Sequence, residues 1–193
     1  MKYTLLILLA SATASFATVI TVGNGRGPVA TQEITNNAGE LVGGFAAFGI
    51  IDVNGINGAD TMFADLSFQD FGSNEAVLTP STLGQFSLGT TPPNINPEGT
   101  PFDGEQIVLL AGFGGTDLAS SNELFIVQFD QTFVEQPTPI ALIHSSDPST
   151  ILLGTDEGGT FAASTITAVP VPEPSAALLA GLALVGGLVR RRR

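Results

Sequence analysis

Apolar residues in this chain recur at every second position or in short unbroken runs, the spacing of strands rather than of helices. In NELFIVQFDQTF (residues 122–133), Phe125, Val127 and Phe129 fall on one face, with Leu124, Ile126 and Gln128 on the other. EQIVLLAGFGG (105–115) is a continuous apolar run closed by glycines, which reads as a well-buried strand. ELVGGFAAFGIIDVNG (40–55) is similar, and Gly43 and Gly44 are read there as a bulge or tight bend. LSFQDF (66–71) alternates, as does TFAASTIT (160–167), the expected last strand.

Between these runs lie NGINGAD, TTPPNINPEGTPFDG, EQPTPI and SSDPST, all rich in turn formers. TDLASSNEL (116–124) is the one place where a short helical turn is expected. Short strands separated by such turns predict an all-β fold, a single β-sandwich or jelly-roll-like domain. Strand order is not readable from this pattern.

The two ends of the chain differ from its middle. MKYTLLILLASATASFA carries one charge at Lys2, an apolar run from Leu5 to Ala10, and small residues at Ser15 and Ala17 before a cut. That order predicts a signal peptide over 1–17 removed by signal peptidase, with Thr18 as the first mature residue. At the other end, Ala176 to Val189 is uncharged, and Arg190, Arg191, Arg192 and Arg193 follow it. As a helix this run would be about 21 Å long, against a hydrocarbon core of about 30 Å. Arginine stems lying along the apolar surface extend its reach, so a short transmembrane helix over 176–189 is expected. The arginines are expected to stay in the cytoplasm as a basic tail over 190–193, which places everything before Pro174 outside.

Val171, Pro172, Glu173, Pro174 and Ser175, then the apolar run, then the arginine cluster, resemble the PEP-CTERM sorting signal. The resemblance covers Val171 to Arg193 and implies export in a Gram-negative bacterium, in a group many of whose members make exopolysaccharide. It implies processing near Pro172-Glu173-Pro174 by an exosortase, a membrane cysteine transpeptidase-like enzyme. The inner membrane would hold the chain transiently, and the product would reach the outer surface or extracellular matrix. Pro170, Pro172 and Pro174 each bias the preceding residue toward an extended form, so 170–175 reads as an exposed processing segment.

What remains is an acidic β-rich extracytoplasmic domain over 18–169. Of the 18 carboxylates in the chain only Glu173 lies outside it, and its only basic side chain besides His144 is Arg26. The domain therefore stands near −16, more acidic than the −12 of the whole chain. Nucleic acid and anionic polymers are excluded as partners, because binding them takes Lys or Arg to neutralise phosphate or sulfate. A neutral exopolysaccharide is compatible with this charge. With no cysteine, thiolate nucleophiles and disulfides are also excluded.

Candidate chemistry is sparse. His144 follows PIALI and has Ser145, Ser146 and Asp147 beside it, but no GxSxG elbow is present. Seventeen carboxylates inevitably supply pairs at glycosidase spacing, so a secreted carboxylate-dependent enzyme acting on polysaccharide is an alternative without a specific signal. The absence of Trp and Tyr from the domain removes the usual aromatic sugar platforms. DVNGINGAD offers Asp52, Asn54, Asn57 and Asp60 around tight glycine turns, the ingredients of a calcium site in a calcium-dependent adhesion or binding module. It departs from the EF-hand template at Ile56 and Phe63, and a plain turn between strands is the competing reading. GTDEGG is a weaker candidate of the same kind, and GGFAAFG and AGFGG lack the setting of a nucleotide site. No catalytic residue and no cofactor is assigned, and the expected function is that of an exported, non-catalytic surface or matrix protein.

Overall fold

The computed structural model describes residues 19–23, 33–78, 87–89, 96–135, 139–143, 146–156 and 160–167. Among these residues thirteen strands run in chain order: β1 Ile20–Gly23, β2 Ile34–Thr35, β3 Gly44–Ile50, β4 Gln69–Asp70, β5 Ala76–Leu78, β6 Ser87–Gly89, β7 Gln106–Phe113, β8 Glu123–Thr132, β9 Ile140–Ile143, β10 Ser149–Leu153, β11 Thr155–Asp156, β12 Phe161–Ala162 and β13 Ser164–Thr165. The only helical elements among the described residues are three 3-10 turns between β3 and β4. The fold is all-β.

A seven-stranded antiparallel sheet dominates, ordered β10-β8-β7-β3-β4, with β13 also on β8 and β5 also on β3. Its three long strands are the three apolar runs of the sequence, and their alternation sorts the core into two clusters. Phe48, Ile107, Leu109, Ala111, Phe125, Val127 and Phe129 point to one face and join the first cluster. Ala47, Val108, Leu110, Leu124 and Ile126 point to the other and join the second. Both faces are buried, so β7 reads as a continuous apolar stretch instead of an apolar–polar alternation.

Each face has its own cover. A three-stranded sheet, β6-β1-β9, contributes Ile20, Val22, Leu88, Ile140 and Leu142 to the first cluster. The third sheet, β11-β12-β2, adds Ile34 and Phe161. Phe71, Phe102 and Phe133 pack there as a ring trio, with centroids 4.5 to 5.4 Å apart. The second face is covered by Leu66 from the 3-10 segment, Leu118 from the β7–β8 loop, Leu153 and Ile166.

Four local expectations are corrected. Gly44 marks no bulge: it pairs in register with Phe113, and a side chain there would meet Gly112 O and the Phe113 ring at 2.6 Å. The glycine permits a close approach. The 116–124 segment holds a single hydrogen-bonded turn and no helix: the Asp117 carboxylate accepts from Ser120 N at 2.8 Å as an N-cap would and Ser121 N donates to Leu118 O at 3.3 Å, but the chain leaves for β8 at Glu123. TFAASTIT is two strands: β12 lies in the β11-β12-β2 sheet and β13 adds to β8, so the chain changes sheet at Ala163. Of LSFQDF, only Gln69 and Asp70 pair as strand, while Leu66 closes a 3-10 turn.

Candidate functional site

The segment carrying the candidate calcium ligands leaves β3 and passes through 3-10 turns at Val53–Gly55, Gly58–Asp60 and Phe63–Leu66. Asp52 caps the first turn: its Oδ1 accepts from Asn54 N at 2.9 Å and from Asn54 Nδ2 at 2.8 Å. Its backbone N donates to Leu66 O at 2.8 Å, which ties the segment back on itself over the buried Leu66 side chain. Asn57 N donates to Thr61 Oγ1 at 2.8 Å, and Asp60 N donates to Asn57 O at 3.2 Å. All four side chains are exposed. Asn54 turns its amide nitrogen, not its oxygen, toward Asp52. Among the described residues there is no group of three or more His, Cys, Asp or Glu placed to hold a metal ion.

A buried polar constellation lies at the β3 edge, and no sequence motif pointed to it. β4 pairs with Gly49 and Ile50, and β5 with Gly44 to Ala46, which leaves Phe48 facing the loop between them. The Asn74 side chain fills this gap as a strand residue would: Phe48 N donates to its Oδ1 at 2.7 Å, and its Nδ2 donates to Phe48 O at 2.7 Å and Phe71 O at 2.8 Å. Asn74 is 5% exposed. Asp70 holds the loop by accepting from Asn74 N with both carboxylate oxygens at 3.1 Å. Gly72 and Ser73 take positive φ to make the turn.

Burial pushes the Asp70 carboxyl above its usual range, against the opposing pull of its Asn74 bonds. Glu75 is also raised, by burial first and then by the charges of Asp117 and Asp70. Asp117 is lowered by its hydrogen bonds from Ser120. Asp70 and Asp117 are held by turn geometry, and the bonds that hold them are bonds of the fold.

A cavity of about 280 Å³ lies at the turn after β2, lined by Asn37, Ala38, Gly39, Thr155, Thr160 and Ala162. Beside it, Asn37 N donates to Glu123 Oε2 at 2.8 Å, which fixes the turn to β8. Among the described residues the lining presents amide and hydroxyl groups and no charged side chain.

The last described residues are held in place. Ile166 is buried and its N donates to Asn122 O at 2.8 Å. Thr167 N donates to Thr61 O at 3.0 Å, and Thr167 Oγ1 to Ala59 O at 3.1 Å. The chain is thus pinned a few residues before Pro172, Glu173 and Pro174. These three, the run 176–189 and Arg190 to Arg193 lie outside the described residues, as do 1–17, Arg26 and His144. Among the described residues no helix is long and apolar enough to cross a membrane. No curated protein and no solved structure matches the chain. Residues 170–193 match the PEP-CTERM protein-sorting motif, which supports export of the chain and its sorting toward the cell surface.

Proposed function

We propose that this chain is an exported, non-catalytic surface or matrix protein of an exopolysaccharide-producing Gram-negative bacterium, delivered by signal peptidase and then an exosortase. The observation that carries this reading is the sorting motif at 170–193, which begins three positions after Thr167, itself held to Thr61 and Ala59. In this reading the inner membrane holds the chain only until processing near Glu173. The seven-stranded sheet and the β6-β1-β9 sheet would stack across the first core cluster as a β-sandwich.

A non-catalytic role is favoured by where the polar groups go. Asp52, Asp70 and Asp117 each hold a turn, and Asp147 accepts from Ile143 N. Phe48, Phe71, Phe113, Phe125, Phe129 and Phe133 fill the core and present no platform for a sugar ring. The cavity by Asn37 and Thr160, whose described lining carries amides and hydroxyls and no basic side chain, suits a neutral exopolysaccharide better than an anionic one.

Cell fractionation of the native host tests the reading. Replacing Pro172, Glu173 and Pro174 together by alanine is expected to leave the protein in the inner membrane. Appearance of that variant in the extracellular fraction at the wild-type level would contradict it.

A further inference from the structure

The sequence DVNGING contains two Asn-Gly pairs three residues apart, and the fold treats them differently. An Asn-Gly pair is prone to one particular reaction, since glycine has no side chain to hinder its nitrogen. The glycine N attacks Asn Cγ, ammonia leaves, and a five-membered succinimide forms. Water then opens the ring at either carbonyl, giving aspartate or isoaspartate. The net change is water in, ammonia out and one carboxylate gained. Reaction requires the side-chain amide and the glycine N to come free of their partners and rotate toward each other.

Asn54–Gly55 is clamped. Asn54 N and Nδ2 both donate to Asp52 Oδ1, and Gly55 N donates to Asp52 O at 3.0 Å. Gly55 is also packed against backbone, because a Cβ there would collide with Asp65 O and lie 2.7 Å from Asp65 C. Asn57–Gly58 is open. Asn57 Nδ2 reaches Gly55 O only at 3.5 Å, the limit of a hydrogen bond. Gly58 is exposed, has φ +59, and a Cβ there would meet nothing within 4 Å. It opens the second 3-10 turn, where N–H groups have no partner inside the helix.

From this contrast we propose that Asn57 is a spontaneous deamidation site of the folded protein, and that Asn54 is protected by Asp52. The site has a consequence for the fold. The turn Gly58–Asp60 and Thr61 supply the Ala59 and Thr61 carbonyls that hold Thr167. Isoaspartate at 57 lengthens the backbone by one carbon next to that grip, and the new carboxylate joins Asp52 and Asp60 in the same loop. The inference does not depend on how the tail is processed.

The test is a time course of the full chain in detergent at mildly alkaline pH. Peptide mapping resolves aspartate and isoaspartate at positions 54 and 57, and a parallel sample in concentrated urea removes the surroundings of both pairs. In the native sample Asn57 is expected to convert about tenfold or more faster than Asn54, the ratio that one or two net hydrogen bonds support. In urea the two rates should converge. Asp52→Ala should bring Asn54 several-fold closer to Asn57. Equal native and urea ratios, no native conversion at Asn57, or an unchanged Asn54 rate in Asp52→Ala would each overturn the proposal.

Discussion

Replacing Asn74 by alanine tests the account of the β3 edge most sharply. The substitution removes three side-chain hydrogen bonds of 2.7 to 2.8 Å from a position 5% exposed. Phe48 O keeps one partner, because Phe71 N donates to it at 3.1 Å. Phe48 N and Phe71 O lose theirs. A buried group left without a partner costs about 1–3 kcal/mol, so two cost about 2–6 kcal/mol. That is a large share of the roughly 5–15 kcal/mol by which a domain is stable. In a domain of this size the expected fall in Tm is about 5–20 °C.

Urea titration of the mature protein supplies ΔG and m together, and an unchanged m shows that the unfolded ensemble is the same. Asn74→Asp adds a signature that packing alone would not give. At neutral pH its carboxylate accepts from Phe48 N but faces the Phe48 and Phe71 carbonyls, and protonation in acid restores one donor. Its deficit should therefore shrink as pH falls. If Asn74→Ala loses less than about 0.5 kcal/mol, the level of an ordinary surface change, the amide is not what completes the edge.

Three further outcomes follow from the same geometry. Gly49→Ala places a methyl group into Gln69 O across the β3–β4 pair, and overpacking of this kind should cost about 1–3 kcal/mol in a urea titration. Asp70 and Glu75 have raised pKa values, so the folded state takes up protons more readily than the unfolded one. Stability should therefore rise as pH falls from neutral toward the ordinary carboxyl values of 3.8 and 4.5, and be lost again as pH rises through the raised values. Asp117, lowered by Ser120, acts in the opposite sense only at more acidic pH. Asp70→Asn keeps an acceptor for Asn74 N and should flatten the Tm–pH profile, whereas an unaltered profile would contradict the assignment. Millimolar calcium should raise Tm no more than matched ionic strength does, since Asp52 already caps Asn54; a specific, saturable rise would favour the calcium-dependent module instead.

The sequence was most informative where local pattern and tertiary demand coincide. Phe125, Val127 and Phe129 alternate with Leu124 and Ile126 because β8 has a different core on each face, and that alternation is visible without coordinates. The turn composition of NGINGAD was equally visible, although the chain makes two 3-10 turns there and a third at Phe63–Leu66 in place of a simple link. What escaped detection depends on distant partners. β1 is four residues long and is defined by parallel pairing with β9, more than a hundred positions away. β2 is two residues long and pairs in parallel with β12. Such strands are too short for periodicity to register.

Asn74 escaped for a different reason. In SNEAV it looks like one more turn residue, and only the gap between β4 and β5 makes it a structural amide. The D-x-G-x-N spacing from Asp70 to Asn74 was the available hint. The four calcium candidates were drawn together by composition alone. The fold joins Asp52 with Asn54 and links Asn57 with Asp60 through backbone, so its local bonds follow the two Asn-Gly turns.

The central claim is that the carboxyl-terminal motif is an address removed in use. Mass spectrometry of the mature protein from its native host measures both ends of the chain at once. The account expects an amino terminus at Thr18 and a carboxyl terminus beyond the pinned Thr167 but short of the apolar run at Ala176. A mature chain that still carries Arg193 would contradict it.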